Sequence, residues 1–484
     1  MDKPFIFRHE ASDKEGQFRC VDRLTVHQGP TTFSSLIPQL IPSDADFVVF
    51  DLDNTFHLQR NVGEMLGWDI VGREGWGERF YQLIADQDRP SRMVLDPSDI
   101  PGIARYLLNG AKTWALPGMI YGLWMKLIYG NRKLRRLAFL YFGAEPVKAV
   151  QQIPQGALLH QMSRYSLGQL RYWTKVLLHR IADDMVITPA DIEQIREHAP
   201  NARLVISSAS PQPVLEAAAD YFGIDDVIYS EIETLDELIS SPPLLHWFFN
   251  RDETPDRIAP LQSLQINNSH AKVRKLAERY PQFSTANTVG ISDTDKGEDH
   301  AWSTLFRHLI DVNSNDPFPP IVDMDSPTET IDSVHLLSQY EQRQRRDDPE
   351  FLDPRRKFRP PEQTCSFSQQ ELNERLHSHV EEANALQKEG YTVRARIRDA
   401  IDTAWGETRS AMEAFNDAVE AYNKSEQQGR DQQLTTLQNA WSTFQDAQRH
   451  LARLQRPFAD KYRALQNLLH DARAALDPAH TEPL

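Results

Sequence analysis

The apolar run Phe47-Val48-Val49-Phe50 breaks into Asp51-Leu52-Asp53-Asn54-Thr55, and this change constrains the chain more than any other feature. Four consecutive apolar residues predict a strand buried on both faces, as a central strand of a parallel sheet is. Apolar burial gives no reason to set Asp51 and Asp53 at its tip. Carboxylates that close repel each other unless a cation or a proton lies between them. A site that uses one carboxylate as nucleophile, its neighbour as proton donor and a hard metal ion is built this way. The plainer alternative is a strand followed by an Asp-rich turn, because Asp and Asn favour turns.

The same texture returns later in the chain. Leu204-Val205-Ile206 predicts a strand running into Ser207-Ser208-Ala209-Ser210-Pro211, and Val214 to Phe222 predicts a helix closed by Gly223. Val227-Ile228-Tyr229 predicts the next strand, and Ala271 to Tyr280 a helix with Ser269 as N-cap. Thr288-Val289-Gly290-Ile291 predicts a strand that ends in Ser292-Asp293-Thr294-Asp295-Lys296-Gly297-Glu298-Asp299, and Leu309 to Val312 a last short one. Strands alternating with helices, with polar clusters at strand ends, describe an α/β, doubly wound parallel sheet.

Around this core, residues 1–43 read as a lead-in that packs against the domain at 44–313. Residues of about 57–195 have helical texture and read as a helical cap insertion. Residues 314–367, rich in proline and charge, read as a linker that insulates the C-terminal segment from the core. Beyond it, apolar residues spaced by three and four predict two long helices over 368–484, an α-helical hairpin or coiled coil. Self-association through these helices is the default expectation.

At 484 residues, two or three domains are expected. A net charge of −16 argues against nucleic acid as a partner, which needs a basic surface. Cys20 and Cys365 lie far apart and form no metal-ligand spacing, which suggests reduced thiols in a cytoplasm. No signal peptide is read at Met1-Asp2-Lys3-Pro4, so the glycosylation pattern Asn267-Asn268-Ser269 is set aside. The uncharged stretch Thr113–Met125 is shorter than the roughly 20 residues of a spanning helix. It is followed by Arg132, Lys133, Arg135 and Arg136. The stretch reads either as a buried helical pair or as a surface dipping into an anionic membrane on its inner, cytoplasmic face.

Four polar elements thus fall at strand ends or helix starts, and together they suit phosphoryl transfer. Asp51 can attack phosphorus, because a carboxylate carries a phosphoryl group as an acyl phosphate. Asp53 can protonate the leaving oxygen and later deprotonate water. Ser208 can donate to a phosphoryl oxygen, and Lys272 can neutralise charge shared by phosphate and Asp51. Asp293 can complete an oxygen cage with Asp51 around Mg²⁺. Taken singly, each has a plainer account: Ser207–Ser210 a turn, Lys272 a solvated lysine, Asp293–Asp299 an acidic loop.

The order D-L-D-N-T, S-A-S-P, a helix-start lysine and S-D-T with trailing acids resembles the haloacid dehalogenase superfamily, in its phosphoserine-phosphatase-like branch. The likeness covers residues of about 45–313. It implies a Mg²⁺-dependent phosphatase with Asp51 as nucleophile, Asp53 as acid/base, and Ser208 and Lys272 on the phosphate. It further implies the Asp53 backbone carbonyl as a metal ligand. The family usually places a second acid where Gly297 stands, so Glu298 or Asp299, or Asp295 from the near side, is expected to support the metal. The stretches Phe50 to Gln59 and Ile206 to Pro213 are also similar to the phosphatidylglycerophosphatase C family, which implies a lipid phosphate as one substrate class beside small phosphomonoesters. A non-catalytic scaffold whose helical hairpin binds another protein is the competing expectation.

Overall fold

In the computed structural model, the described residues are 18–58, 61–77, 99–110, 161–231, 269–294, 299–356, 364–425 and 429–476, with 80, 158–159, 234–235, 238–239, 267 and 297 between them. The strands are β1 (Phe18–Cys20), β2 (Arg23–Thr31), β3 (Phe47–Phe50), β4 (Arg203–Pro211), β5 (Asp226–Ser230), β6 (Thr234–Leu235), β7 (Leu238–Ile239), β8 (Thr288–Ser292), β9 (His308–Val312), β10 (Ile321–Asp323), β11 (Thr330–Leu336) and β12 (Cys365–Ser368). Eight of them form one sheet in the order β12-β2-β11-β9-β8-β3-β4-β5. Its neighbours pair in parallel except for β12 at the edge. The protein is therefore mixed α/β, with a mostly parallel sheet and a C-terminal helical region.

β3 sits between β4 and β8, and the pleat explains its unbroken apolar run. Val48 and Phe50 enter the apolar core on one face, while Phe47 and Val49 enter the core on the other. On the first face pack α1 (Phe33–Leu40) and the helical segments between β3 and β4: α2 (Val62–Trp76), α3 (Ile100–Gly110), α4 (Leu167–Arg180) and α5 (Pro189–His198). This insert leaves and returns at one neck, where His57 pairs with Met185 and Val186 donates its N–H to the Phe56 carbonyl. α6 (Gln212–Phe222) ends at Gly223, which is left-handed at φ 76°, the glycine stop expected there. α7 (His270–Arg279) starts after Ser269, but the Ser269 side chain makes no capping bond and its φ is 46°. The predicted cap at that position is not formed. Among the described residues, no helix is long and apolar enough to cross a membrane; residues 113–136 lie outside them.

Two boundaries differ from expectation. The lead-in supplies β2, second from the sheet edge. The expected linker supplies β11, which lies inside the sheet between β2 and β9, with Ile331, Val334 and Leu336 buried. It also supplies α8 (Gln339–Gln344) and the β10 that pairs with β1. Its prolines flank a strand rather than mark open chain. Asp332 and Ser333 read as polar but are buried because each has a partner: Asp332 takes a hydrogen bond from His27, and Ser333 donates to Asp311.

The helical region is a hairpin whose outgoing limb is broken in two, α9 (Gln369–Arg396) and α10 (Arg398–Lys424), at Ile397. The return limb is α11 (Arg430–Leu476), 47 residues and about 70 Å long at 1.5 Å per residue. Its seam is filled within the chain: Phe415 and Val419 meet Leu437, Met412 meets Phe444, Ile401 meets Leu451, and Ala383 meets Leu465 and Leu468. The hairpin is not insulated from the core. Leu372 and Leu376 of α9 and Ala472 and Leu476 of α11 share one apolar cluster with Leu24, Leu309 and Ile331 of the sheet.

Candidate active site

β3 and β8 run in parallel with Phe50 opposite Ile291, so Asp51 and Asp293 leave the same edge of the sheet. The Asp51 N–H donates to the Ile291 carbonyl at 2.9 Å, extending the ladder one step into the site. Asn54 then takes a left-handed turn at φ 58°, a conformation Asn tolerates. That turn buries Thr55, whose Oγ1 accepts the Asp293 N–H at 3.0 Å and ties the two acidic loops together.

Lys272, in the first turn of α7, is buried and reaches across to the strand ends. Its Nζ donates to Asp51 Oδ1 at 2.8 Å and lies 3.0 and 2.9 Å from the two oxygens of Asp299. Ser292 donates to Asp299 Oδ2 at 2.6 Å, fixing that carboxylate from behind. The ammonium also sits 5.4 Å from the centre of the Trp302 ring. Trp302 can stack this close to β8 because position 290 is glycine. A Cβ there would lie 2.7 Å from the indole.

Burial first, then the nearby Asp299 and Asp53, push the Asp51 carboxyl up to about 7 against the pull of Lys272. Burial alone would lower the Lys272 ammonium, but Asp299 and Asp51 outweigh it and hold the lysine protonated above its ordinary range. Two carboxylates therefore share one lysine, with a third, Asp53, close to Asp51.

Asp53 faces the insert. Its Oδ1 accepts the N–H of Val62, the first residue of α2, at 2.7 Å, and its Oδ2 accepts from Ser210 at 3.2 Å. His57, fully buried, holds Nε2 3.8 Å from Asp53 Oδ1, and neither ring nitrogen has a hydrogen-bond partner. Ser208 is buried at the β4 end, where its Oγ accepts the Ser210 N–H at 3.3 Å. Asn267 holds this turn: its Nδ2 reaches Ser207 Oγ, the Ser208 carbonyl and the Ile228 carbonyl at 3.2, 3.0 and 2.8 Å. The glycosylation pattern at 267 thus lies on a fully buried side chain.

Of the residues expected from sequence, Asp51, Lys272 and Asp299 are brought into direct contact, with Asp53 close enough to raise Asp51. Asp299 is engaged by Lys272 and Ser292, whereas the family resemblance places it among the supports of the metal. Asp293 is buried beside them. Glu298 and Asp295 lie outside the described residues. Among the described residues, no three His, Cys, Asp or Glu side chains converge as a metal cage. The donor chemistry still fits Mg²⁺, which takes a couple of carboxylates plus other oxygens. Asp51 binds Lys272 through Oδ1, and its carboxyl is raised first by burial and then by the charges of Asp299 and Asp53. Gly297, where the family pattern has an acid, has φ 69°, and a Cβ there would lie 3.0 Å from the His300 ring and 3.1 Å from Asp316 Oδ2. A side chain there would take a strained left-handed conformation and push against His300 and Asp316.

Sequence reasoning missed Ser292, Ser210, Asn267 and His57. Ser210 and Ser292 stand inside the polar strand-end motifs, but nothing in their spacing says which oxygen each meets. No protein-family model matches this chain, and no curated protein matches it. A solved structure of a protein of unknown function from Bordetella pertussis Tohama I is similar at 13% identity and a TM-score of 0.32, over 56% of this chain and 90% of that one. A likeness at that level carries no argument.

The raised Asp51 carboxyl makes a pH prediction. Without metal, Asp51 is protonated in the folded chain up to about 7, but in the unfolded chain only below about 4. The folded state then binds more protons at this site between those values, so the contribution of Asp51 to stability is fully present below about pH 4 and is lost as pH rises through about 7. Melting at about pH 5 and about pH 8 should show this fall, and Mg²⁺ should reduce it by supplying a cation to the ionised carboxylate. A pH dependence that Asp51→Asn leaves unchanged would contradict the assignment.

Proposed function

We propose that this chain is a Mg²⁺-dependent phosphomonoester hydrolase that works through an aspartyl-phosphate on Asp51, with a haloacid-dehalogenase-like core and the β3–β4 insert as its cap. The observation that carries this reading is the buried Asp51–Lys272 contact at 2.8 Å, with Asp53 beside it on the same sheet edge. A carboxylate at a strand end, held by one lysine and short of positive charge, is arranged to receive phosphorus rather than to bear load in the core.

In this reading Asp51 Oδ2 attacks phosphorus, the bond to the leaving oxygen breaks, and a protonated Asp53 gives that oxygen its proton. Asp53 then takes a proton from water, whose oxygen attacks the acyl phosphate and frees phosphate and Asp51. Lys272 offsets the charge that builds on the phosphoryl oxygens, and Ser208 donates to one of them once substrate displaces its present contacts. Mg²⁺, held by Asp51, the Asp53 carbonyl and Asp293 with support from the 295–299 acids, would screen the remaining charge. The substrate is a small phosphomonoester or a lipid phosphate. Exposed Ile100, Leu107 and Leu108 on α3 support the apolar part of a peripheral contact with a membrane, proposed here as anionic and cytoplasmic.

The test is turnover of an aryl phosphate with Mg²⁺, followed by an acid quench to trap an alkali-labile phosphopeptide containing Asp51. No turnover across a broad phosphomonoester panel would overturn the proposal. The length of α11 favours one second reading, a non-catalytic scaffold whose hairpin binds another protein or a second copy of this chain.

A further inference from the structure

The acidic loop Ser292–His300 is not held by its own strand alone. Thr294 stands at φ 48°, a left-handed conformation that a β-branched residue adopts only when its surroundings impose it. Here the hydroxyl of Thr294 is fixed from the turn after β9: it accepts from the Ser314 hydroxyl and donates to the Asp316 carbonyl at 2.6 Å. At the other end of the loop, His300 Nε2 donates to that same carbonyl at 2.9 Å. One carbonyl thus gathers both ends of the loop, and Gly297 lies against the Asp316 side chain. The side chain of Asp316 is in turn held from outside the sheet, by His470 of α11, whose Nδ1 donates to Oδ1 at 2.9 Å. Three residues further along α11, buried Arg473 donates to Ser333 at 2.7 Å and keeps that helix end on β11.

From the loop the bonds continue inward. The Thr294 N–H donates to Ser292 Oγ at 3.0 Å, Ser292 to Asp299, and Lys272 to both Asp299 and Asp51. We propose that Asp316 and His470 are positioning residues for this loop, so that the base of the C-terminal hairpin sets the geometry of the Lys272–Asp299 clamp and of the metal side. The inference rests on reading Ser292–His300 as the metal side of a phosphatase site, but its structural half stands apart from catalysis.

The test uses the full-length chain with His470→Ala and His470→Asn. His470 is more than half exposed, so neither change should unfold the protein. The asparagine amide places a donor near the position of Nδ1. Amide hydrogen exchange over residues 292–300 in metal-free protein should quicken roughly threefold to tenfold in His470→Ala, as loss of one hydrogen bond to a carboxylate implies. It should return toward wild type in His470→Asn. The Mg²⁺ needed for half-maximal rate should rise by a similar factor, with kcat little changed. Unchanged exchange and unchanged Mg²⁺ requirement in His470→Ala would overturn the inference. Exchange that quickens and is rescued, in a protein that hydrolyses no phosphomonoester, would support the positioning and overturn the phosphatase reading instead.

Discussion

Asp51→Asn should abolish turnover, by about 10⁴-fold or more, equal to about 5 kcal/mol or more of barrier. The substitution keeps the shape of the side chain and removes its nucleophilic charge. Lys272 retains Asp299 as a partner, at 3.0 Å, so the lysine is not left alone in the core. The variant also removes a buried carboxyl that burial and the nearby Asp299 and Asp53 disfavour as an anion, so it should melt at or above the wild-type temperature near neutral pH without metal. Loss of activity with unchanged or raised stability is a pattern that a merely structural aspartate would not produce. Equal rates in the two proteins would remove Asp51 from the mechanism, and inactivity in both would favour the scaffold.

Deletion of residues 368–484 should collapse the whole protein rather than shorten it. The truncation strips Leu372, Leu376, Ala472 and Leu476 from the cluster that covers one face of the sheet. Three buried leucines at about 1.5–3 kcal/mol each approach the whole of a domain's about 5–15 kcal/mol. The bared face, with Leu24, Leu309 and Ile331 at its centre, should aggregate. A second deletion separates base from arm: removing 398–450 and joining the limbs by a short glycine-rich turn leaves Ala383 against Leu465 and Leu468. That protein should stay soluble and melt cooperatively. A soluble, cooperatively melting 368–484 truncation would show that the hairpin base is not part of the core.

These two results would also test what could and could not be read from the chain. The strands β3, β4, β5, β8 and β9 announce themselves because each is buried through its own apolar residues, Val205 and Ile206 or Val289 and Ile291. β11 does not, since its buried positions include Asp332, Ser333 and His335, and β2 buries only Leu24 and Val26 in a polar run. A polar residue is buried there only because His27, Asp311 or Arg473 meets it, and those partners are remote in sequence. The hairpin was legible as a seam of threes and fours, but its attachment was not, because the apolar residues at its base follow the same spacing as the rest. At the site, residue types and order marked Asp51, Asp53, Ser208, Lys272 and Asp293. The tie between Lys272 and Asp299, and the left-handed Asn54 and Thr294, are properties of backbone geometry that composition does not carry.

The order in which the sheet is stitched has a consequence for how the protein is made. β11 enters between β2 and β9, and the cluster on the face behind it is completed only when Ala472 and Leu476 arrive. A ribosome adding about 5–20 residues per second leaves the strand that bears Asp51 waiting for tens of seconds. During that time Leu24, and later Leu309 and Ile331, have no α11 to shelter them. The nascent chain should therefore rely on holding chaperones until residues 472–476 have emerged. The cluster around Asp51 and Lys272 should mature late, once residues 472–476 have docked.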